Sequence, residues 1–480
     1  MIRMLGGGVR TCDGITRREA LAAGFVGLLG GGALSEAQAF APRSGRTRSV
    51  ILINLLGGPA HLDMFDPKPD APSEIRGEFQ TIPTTIDGLR ICEHLPRTAK
   101  TMHRSTLIRT LTHTFNSHDP YPIITGSTVG NPSAQYSPDD APSVGAVCQF
   151  LGKGAPGVPL HACLPCFPGW GQTWRRKGIY GGYLGSQYDP LISVCSPEYE
   201  RTPTRTSYDA VQIYGRPQLE GVQAIPELTL DRLNRRRSLV EQVDAQVLRA
   251  NRSRMMEQAS SIQQKSFDLL TSGKVREAFD LDREPQQVRE RYGSTLAAQC
   301  MLTARRLVEA GVTFVTATYE VFQTGKFLNG IAFDTHENNF DALRRVLLPS
   351  LDQGYTALIE DLSSRGMLND TLVIVAGEMG RSPRVNARAG RDHWPQCGSI
   401  LVTGGGVKEG YVHGTSDRIG AYPDTDPVTP GDWISTVYTL LGLDPSTTVP
   451  DAFNRPMPIS QGGAPVTAIL KSPSSASRTA

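Results

Sequence analysis

The feature that most constrains the fold is a nearly continuous apolar run at residues 50–56, followed at once by Gly57, Gly58 and Pro59. A strand that is apolar on both faces is buried on both faces, and such strands occur in parallel sheets that helices cover on each side. Four similar segments follow, at residues 106–111, 312–318, 371–376 and 399–403. The pattern therefore predicts an α/β domain built on a doubly wound, mostly parallel sheet.

Helical patterns separate these segments. Apolar residues recur at helical spacing before the fourth segment, at Phe340, Leu343, Leu347, Leu351, Leu358 and Leu362. A strand, a helix and a strand in this order form a βαβ unit. From about residue 228 to residue 307 the chain is charged and helical in pattern, which predicts an inserted helical segment or cap over the sheet. The run Arg235 to Arg237 within it is typical of a solvated helix face, with an anion site as the alternative.

Composition gives no reason to expect two classes of partner. The 480 residues suffice for one large domain with insertions or for two domains. Lys and Arg number 49 against 47 Asp and Glu, a net charge of +2. Because the charges nearly balance, neither nucleic acid nor an acidic membrane surface is expected as a partner.

The eight cysteines show neither the paired spacing of a disulfide framework nor that of a zinc finger. Cys163 and Cys166 have the spacing of a redox motif. They follow a Pro- and Gly-rich stretch instead of a strand that opens a helix. We therefore interpret them as a structural disulfide or as two buried thiols, with a redox role as the alternative.

The first 39 residues have the three parts of a cleavable export signal. Arg17 and Arg18 precede an apolar run at residues 22–34, and Ala37 and Ala39 give a small-x-small ending. The run is too short to cross a bilayer, which takes about 20 apolar residues. Adjacent arginines favour the twin-arginine route, with an uncleaved anchor as the alternative. We expect a periplasmic or extracellular protein without a membrane span after signal removal.

The chain is thus predicted to have three parts. A twin-arginine signal peptide occupies residues 1–39, and one α/β domain, which contains the helical insertion, occupies residues 40–462. Residues 463–480 are rich in Ser, Pro and Ala. We expect them to form a flexible tail.

Polar residues cluster where the predicted strands end. In an open parallel sheet, ligands bind beyond the carboxyl ends of the strands. Six of the nine histidines lie in or near these loops, at positions 61, 113, 118, 336, 393 and 413, each with a carboxylate close by. Imidazole and carboxylate are ligands for zinc and related ions such as manganese. Since these loops converge on one crevice, the sequence predicts a metal site, with unconnected polar loops as the alternative.

Such a metal would neutralise the oxygens of a phosphoryl or sulfuryl group and lower the pKa of a nucleophile. Arg381 and Arg391 are placed to clamp two ester oxygens. Ser117 is the most plausible nucleophile, and Asn116 would orient the substrate or the metal. The alternative for Ser117 is an ordinary turn or cap serine.

Five motifs, in order, resemble a known family. They are residues 56–69 (Leu-Gly-Gly-Pro-Ala-His-Leu-Asp-Met-Phe-Asp-Pro-Lys-Pro), 113–126 (ending in Ile-Thr-Gly), 334–339 (Asp-Thr-His-Glu-Asn-Asn), 377–383 (Gly-Glu-Met-Gly-Arg-Ser-Pro) and 390–394 (Gly-Arg-Asp-His-Trp). Together with the closing stretch from residue 430 to residue 456, they resemble the domain-of-unknown-function 1501 family over essentially the whole mature chain. That family resembles a sulfatase-like branch of the alkaline phosphatase superfamily, which implies an alkaline-phosphatase-like fold.

The resemblance also implies a divalent metal: zinc, manganese or calcium. The implied metal ligands are Asp63, Asp334, His336, Glu378 and His393. The nucleophile is implied shortly before Thr125, at Asn116 or Ser117. The expected catalytic residues are Ser117, Asn116, His118 and Arg381.

The chain departs from the superfamily pattern in three places. Phosphatases of the superfamily carry Asp-His where this chain has Glu378 and Met379, so one ligand of a second metal is missing. Their middle-loop Asp and His are four residues apart, whereas Asp334 and His336 are two apart. The Cys-x-Pro-x-Arg motif from which sulfatases make formylglycine is absent from its expected place, and the sequence at Cys195 lacks the arginine.

Two functions therefore remain in view. The first is an exported metal-dependent hydrolase of phosphate or sulfate esters, whose partner is a small-molecule or glycan ester. The second is a non-catalytic exported binding protein on the same fold, for which a protein partner is possible. The departure at Glu378 and Met379 favours the second function, and the retained Asp63, Asp334, His336 and His393 favour the first.

We predict cleavage after Ala39, and export that depends on Arg17 and Arg18, because the twin-arginine route recognises the arginine pair. N-terminal sequencing of the exported protein checks the cleavage site. Replacement of both arginines by lysine should stop export, and normal export of that variant would contradict the assignment.

Overall fold

The computed structural model describes residues 47–154, 158–202, 209–219, 273–320, 322–324, 327–329 and 332–471. The predicted signal peptide, the Arg235 to Arg237 run and most of the predicted insertion lie outside these ranges. Within them, no helix combines the length and the apolar character that crossing a membrane requires.

An eight-stranded sheet forms the centre of the domain. Its strands are β1 (Ser49–Asn54), β2 (Ser105–Leu111), β3 (His161–Leu164), β4 (Leu191–Ile192), β5 (Phe314–Thr318), β6 (Thr371–Ala376), β7 (Gly398–Gly404) and β8 (Tyr411–His413). They lie in the order β8-β2-β7-β6-β1-β5-β3-β4. Only β7 runs antiparallel to its neighbours in this sheet. The predicted mostly parallel sheet is therefore confirmed, and the five apolar segments correspond to β1, β2, β5, β6 and β7.

Helices cover both faces of the sheet. They are α1 (Ser73–Arg76), α2 (Pro96–Thr101), α3 (Tyr121–Thr125), α4 (Val144–Phe150), α5 (Gly273–Phe279), α6 (Gln286–Tyr292), α7 (Leu296–Glu309), α8 (Asn339–Ala342), α9 (Leu348–Ser364) and α10 (Pro430–Leu440). A π-helical turn, Leu343–Leu347, joins α8 to α9. Ile51 and Ile53 of β1 pack with α7 and α9, whereas Val50 and Leu52 pack with α4 and α10. This alternation of side chains gives a core on each face.

Two parts of the predicted domain organisation fall on described residues. The end of the predicted insertion forms α7, which contacts β5 and α9 and so belongs to the helical layer on the sheet. The start of the predicted flexible tail is also packed. Ile469 is buried and its carbonyl accepts a hydrogen bond from the Lys408 amide. Residues 463–471 are therefore part of the domain, because an apolar side chain there is removed from water.

Short two-stranded pairs shape the loops. They are Thr81–Pro83 with Arg90–Cys92, Glu198–Tyr199 with Ile213–Tyr214, Phe322–Thr324 with Phe327–Asn329, Gly380–Arg381 with His393–Trp394, Thr415–Ser416 with Pro423–Thr425, and Thr448–Pro450 with Pro456–Pro458. The pair of Gly380–Arg381 with His393–Trp394 folds the segment after β6 back on itself before β7 begins. It therefore holds His393 at the edge of the sheet where β6 ends.

Helix α10 supports the loop that follows β2. Its start carries a capping box in which Thr429 and Asp432 satisfy each other's backbone amides, and Pro430 occupies the first turn. Trp433 is buried, and its indole nitrogen donates a hydrogen bond of 3.2 Å to the carbonyl of Ile123 in α3. Helix α3 directly follows residues 116–119, so α10 fixes where that loop ends.

Replacing Trp433 by phenylalanine should lower the free energy of unfolding by about 2–4 kcal/mol. The substitution leaves a cavity and deprives the buried Ile123 carbonyl of a donor. Chemical denaturation followed by circular dichroism measures the change. Tyr422 is 52% exposed, and Tyr422→Phe serves as a control that should stay within about 0.5 kcal/mol of the parent. Equal stability of the two variants would contradict this role for Trp433.

Candidate metal centre

Four side chains meet at the carboxyl ends of the strands. We call His118, Asp334, His336 and His393 the His/Asp cluster, because one ligand atom of each lies within 4.8 Å of the ligand atoms of the others. His118 follows β2, Asp334 and His336 follow β5, and His393 lies between β6 and β7. Three separate loops thus supply the cluster, as expected for a site at this edge of an open sheet.

The three imidazoles surround the Asp334 carboxylate. The Nε2 atom of His118 lies 3.2 Å from Asp334 Oδ2, and that of His336 lies 3.2 Å from Asp334 Oδ1. The Nε2 atom of His393 lies 3.8 Å from Asp334 Oδ1. All three rings therefore turn the same nitrogen towards the carboxylate.

The opposite nitrogen of each ring is held by an oxygen outside the cluster. The Nδ1 of His118 donates to Glu378 Oε1 at 3.0 Å, and that of His336 donates to Asp392 Oδ1 at 3.1 Å. The Nδ1 of His393 donates to Asn116 Oδ1 at 2.8 Å. An imidazole that donates through Nδ1 carries its lone pair on Nε2, which is the arrangement of metal-binding histidines.

One buried nitrogen in the cluster has no hydrogen-bond partner among the described residues. It is Nε2 of His393, which faces Asp334 at a distance too long for a hydrogen bond. A buried polar atom without a partner costs free energy. A cation bound by this lone pair would remove that cost, so the donor set present fits a divalent metal.

Burial and the contacts around Asp334 shift the pKa values of three groups in the cluster. Burial lowers the pKa of His393 to about 4, so its ring is neutral at pH 7 and can act as a ligand. Burial alone would raise the pKa of Asp334, but its interactions with the three imidazoles outweigh burial and hold that pKa far below its usual range. For His118, burial lowers the pKa, and the bonds to Asp334 and Glu378 more than offset this and raise it.

Arg381 positions Asp334 and is not available for a substrate. Its guanidinium is fully buried and donates to the Gly58 carbonyl at 2.9 Å, to the Arg391 carbonyl at 2.9 Å and to Asp334 Oδ1 at 2.6 Å. It also donates to the carbonyl of Gly57. Arg381 was expected to clamp ester oxygens, and in this structure all three of its nitrogens donate within the protein instead.

Gly57 allows the first loop to approach Asp334. Its φ is +108°, and a Cβ built there would lie 2.3 Å from the backbone nitrogen of Asp334. Any side chain at this position would push the loops after β1 and β5 apart. The glycine that ends the apolar run in the sequence is thus required by this contact.

Asp63 is an ion-pair partner and lies outside the His/Asp cluster. Its two oxygens accept hydrogen bonds of 2.7 Å each from Nε and Nη2 of Arg391, and Asn339 donates another of 2.8 Å. Both charged side chains are completely buried. Asp63 was expected to bind metal, and Arg391 was expected to bind ester oxygens. Instead the two groups neutralise each other in a bidentate pair.

Glu378 lies behind His118. Its Oε1 accepts from the Gly57 amide at 2.8 Å and from His118, and its side chain is fully buried. Its Oε2 has no hydrogen-bond partner among the described residues. Glu378 was predicted as a direct metal ligand, and in this structure it holds the ring of His118 instead.

The predicted catalytic loop borders the cluster. Asn116 is exposed and accepts the hydrogen bond from His393. Ser117 is half-buried, and its hydroxyl donates to Asp119 Oδ2 at 2.8 Å. The other oxygen of Asp119 accepts from the Lys177 amide at 3.0 Å. Ser117 is therefore next to the cluster in sequence, with its proton directed at a buried carboxylate.

The other loop histidines, His61, His113 and His413, are buried and lie outside the His/Asp cluster. His61 is buried and contacts the carbonyl of Gly420. His113 bonds to the carbonyl of Glu378, and burial lowers its pKa to about 4. His413 is buried in β8. Histidine spacing alone does not separate these from His118, because both kinds follow buried strands.

Sequence reasoning gave His118 a catalytic role and did not predict a role for Asp392. Asp392 is half exposed and holds His336, and Asn386 contacts both residues. The sequence signal that could have indicated this role is the position of Asp392 directly before His393.

The side chains of the His/Asp cluster are partly exposed, at 16–23%. An ion bound there would consequently be accessible from solvent, as in catalytic sites that keep a coordination position open.

No curated protein sequence matches this chain. Solved structures to which it is similar include the PsFucS1 sulfatase from Pseudoalteromonas sp., at 12% identity and a TM-score of 0.34, over 91% of this chain and 73% of that chain. Another is the phosphonate monoester hydrolase SpPMH from Silicibacter pomeroyi, at 12% identity and a TM-score of 0.37, over 90% and 78%. The lipoteichoic acid synthase LtaP from Listeria monocytogenes follows at 11% identity and a TM-score of 0.34, over 92% and 81%.

The sequence model of one family extends over nearly the whole described chain. It matches residues 47–470, which include every member of the His/Asp cluster and every residue that holds one. The protein belongs to the family described as "Protein of unknown function (DUF1501)".

Proposed function

We propose that this protein is an exported, metal-dependent hydrolase of phosphate or sulfate esters. The observation that carries the proposal is the common orientation of His118, His336 and His393. Each ring donates through Nδ1 to an outer oxygen and turns Nε2 towards Asp334. Three oriented imidazoles and one carboxylate form a donor set suited to zinc or manganese.

Buried contacts hold two carboxylates of the site in place. Glu378, which accepts from His118, also accepts from the Gly57 amide, and Asp334 accepts from Arg381. Partners of this kind set the orientation of a ligand and its basicity. When bound, a divalent ion would supply charge neutralisation for an anionic ester and a lowered pKa for a nucleophile.

The loop at Asn116 and Ser117 would supply the remaining groups. The Ser117 hydroxyl donates to Asp119, which leaves its oxygen lone pairs free to approach an electrophilic phosphorus or sulfur atom. Asn116 keeps its amide nitrogen for the substrate, because its oxygen accepts from His393. Ser117 is thus the proposed nucleophile and Asn116 the proposed positioning residue.

A second candidate function is a non-catalytic exported binding protein. The buried arginines favour it, since Arg381 and Arg391 donate within the protein and neither can hold an anionic ester. Metal content and ester turnover distinguish the two functions.

The purified protein should bind about one divalent ion per chain, and His336→Ala should remove most of it, because a ligand atom is lost. Elemental analysis after dialysis against zinc or manganese measures the metal content. The matched control is His103→Ala, which removes an exposed histidine that contacts Thr85 outside the cluster. Equal metal content in the two variants would refute the site.

Asp392→Asn tests metal binding at the same site without removing any of the four cluster side chains. It keeps every ligand but weakens the contact that orients His336, so metal affinity should fall by about 10- to 100-fold. Asp70→Asn, at an exposed position in another loop, should leave the affinity unchanged.

If the site is catalytic, the metal-loaded protein should hydrolyse an aryl phosphate, an aryl phosphate diester or an aryl sulfate faster than the uncatalysed rate. His393→Ala should lower that rate by about 100-fold, because the ring that both binds the ion and contacts Asn116 is removed. Chromogenic ester assays measure the rate. Metal binding without turnover of any ester would establish the binding protein instead.

Ser117→Ala separates two mechanisms in the active protein. Loss of turnover together with loss of a trapped covalent intermediate would support the serine nucleophile. Retained turnover would assign the attack to a water molecule. Ser133→Ala, at an exposed loop position, is the control for a neutral serine substitution.

A further inference from the structure

Two thiols face each other at the edge of the sheet that lies beyond β3 and β4. These parallel strands pair Cys163 with Ile192. Three residues further along each segment lie Cys166 and Cys195, and their side chains are in hydrogen-bonding contact. Between them, the Ser193 hydroxyl donates to the carbonyl of Pro165 at 2.8 Å, which ties the two segments together.

Cys166 and Cys195 also pack on the same face of the sheet. Cys166 is buried in the core that contains α7, and Cys195 is partly buried against the same core, which also contains the buried thiols of Cys92 and Cys300. Cys163 packs in the core on the opposite face. The Cys163–Cys166 disulfide considered from the sequence is therefore disfavoured, because the two side chains point to opposite sides.

We propose that Cys166 and Cys195 are an oxidation site and form a disulfide in the mature protein. Both are free thiols in the described structure. Neighbouring strands lie about 4.8 Å apart, which is within the range of Cα separations that a disulfide spans. Cys166 and Cys195 follow two such strands, β3 and β4, and their side chains are in contact. The inference rests on the proposed function only in that export supplies an oxidising compartment.

The bond forms by thiol–disulfide exchange with a small or protein disulfide as oxidant. Cys195 is the accessible partner, since it is only partly buried whereas Cys166 is 2% exposed. The Cys195 thiolate attacks the oxidant and releases one thiol. Cys166 then attacks the Cys195 sulfur and releases the second thiol. Two electrons and two protons pass from the cysteine pair to the oxidant.

The disulfide would stabilise a segment that contacts the loop carrying His118 of the candidate metal centre. It closes the segment between residues 166 and 195, and Lys177 in this segment donates its amide to Asp119. Asp119 follows His118 of the His/Asp cluster. Closing this loop restricts the unfolded chain and so favours the folded arrangement of the segment.

Peptide mapping of the full protein tests the proposal. The protein is incubated with oxidised glutathione, alkylated and digested without reduction. Mass spectrometry should find one linked peptide pair that contains Cys166 and Cys195, lighter than the sum of its thiol forms by two hydrogen atoms. Alkylation of both cysteines, or a link between Cys195 and Cys300, would overturn it. Because the oxidant is added, neither result depends on export, on metal or on ester hydrolysis.

Thermal unfolding supplies a second measurement. The oxidised protein should have a Tm about 5 °C above that of the reduced protein. Cys195→Ala should abolish this difference, and Cys148→Ala, which removes a buried thiol of the opposite core, should preserve it. An unchanged difference in Cys195→Ala would overturn the assignment even if that variant is less stable overall.

Discussion

A single buried guanidinium joins the segments that build the candidate metal centre. Arg381 follows β6 and donates to the loop after β1, to Asp334 after β5 and to the carbonyl of Arg391. Burying such a charge is costly unless hydrogen bonds and an opposite charge compensate for it. Here carbonyls from two loops and one carboxylate provide that compensation. The position of Asp334, and with it that of the three imidazoles around it, depends on this contact.

A second buried pair extends the same frame. Asp63 and Arg391 neutralise each other without exposure to water, and Asn339 adds a hydrogen bond from the start of α8. Two arginines thus hold the loops, while three histidines and Asp334 remain partly exposed at the surface of the crevice. This division of roles has a physical basis. Buried charges whose hydrogen bonds are all made within the protein hold the loops rigidly, whereas partly exposed side chains with a free lone pair are suited to bind an ion.

The strand directions explain why distant residues meet. Asn54 pairs with Ala376 on one side and with Thr318 on the other, so β1, β5 and β6 end at the same level. Strand β7 runs the opposite way and therefore begins at this edge, where it pairs with the end of β2. The loop with His118 and the loop with His393 are brought together by that antiparallel strand.

The sequence by itself determined the sheet and the neighbourhood of the site. Strands buried on both faces require continuous apolar runs, and polar loops after parallel strands converge, so Asp334, His336 and His393 could be predicted together. Tertiary structure decided which charged groups are used internally. Asp63 and Arg391 are 328 residues apart, and no local pattern reveals that they neutralise each other. The same holds for His118 and Glu378. His118 lies beside Asp334 and Glu378 lies behind it, fully buried, and this order depends on side-chain direction and burial, which only the packed loops define.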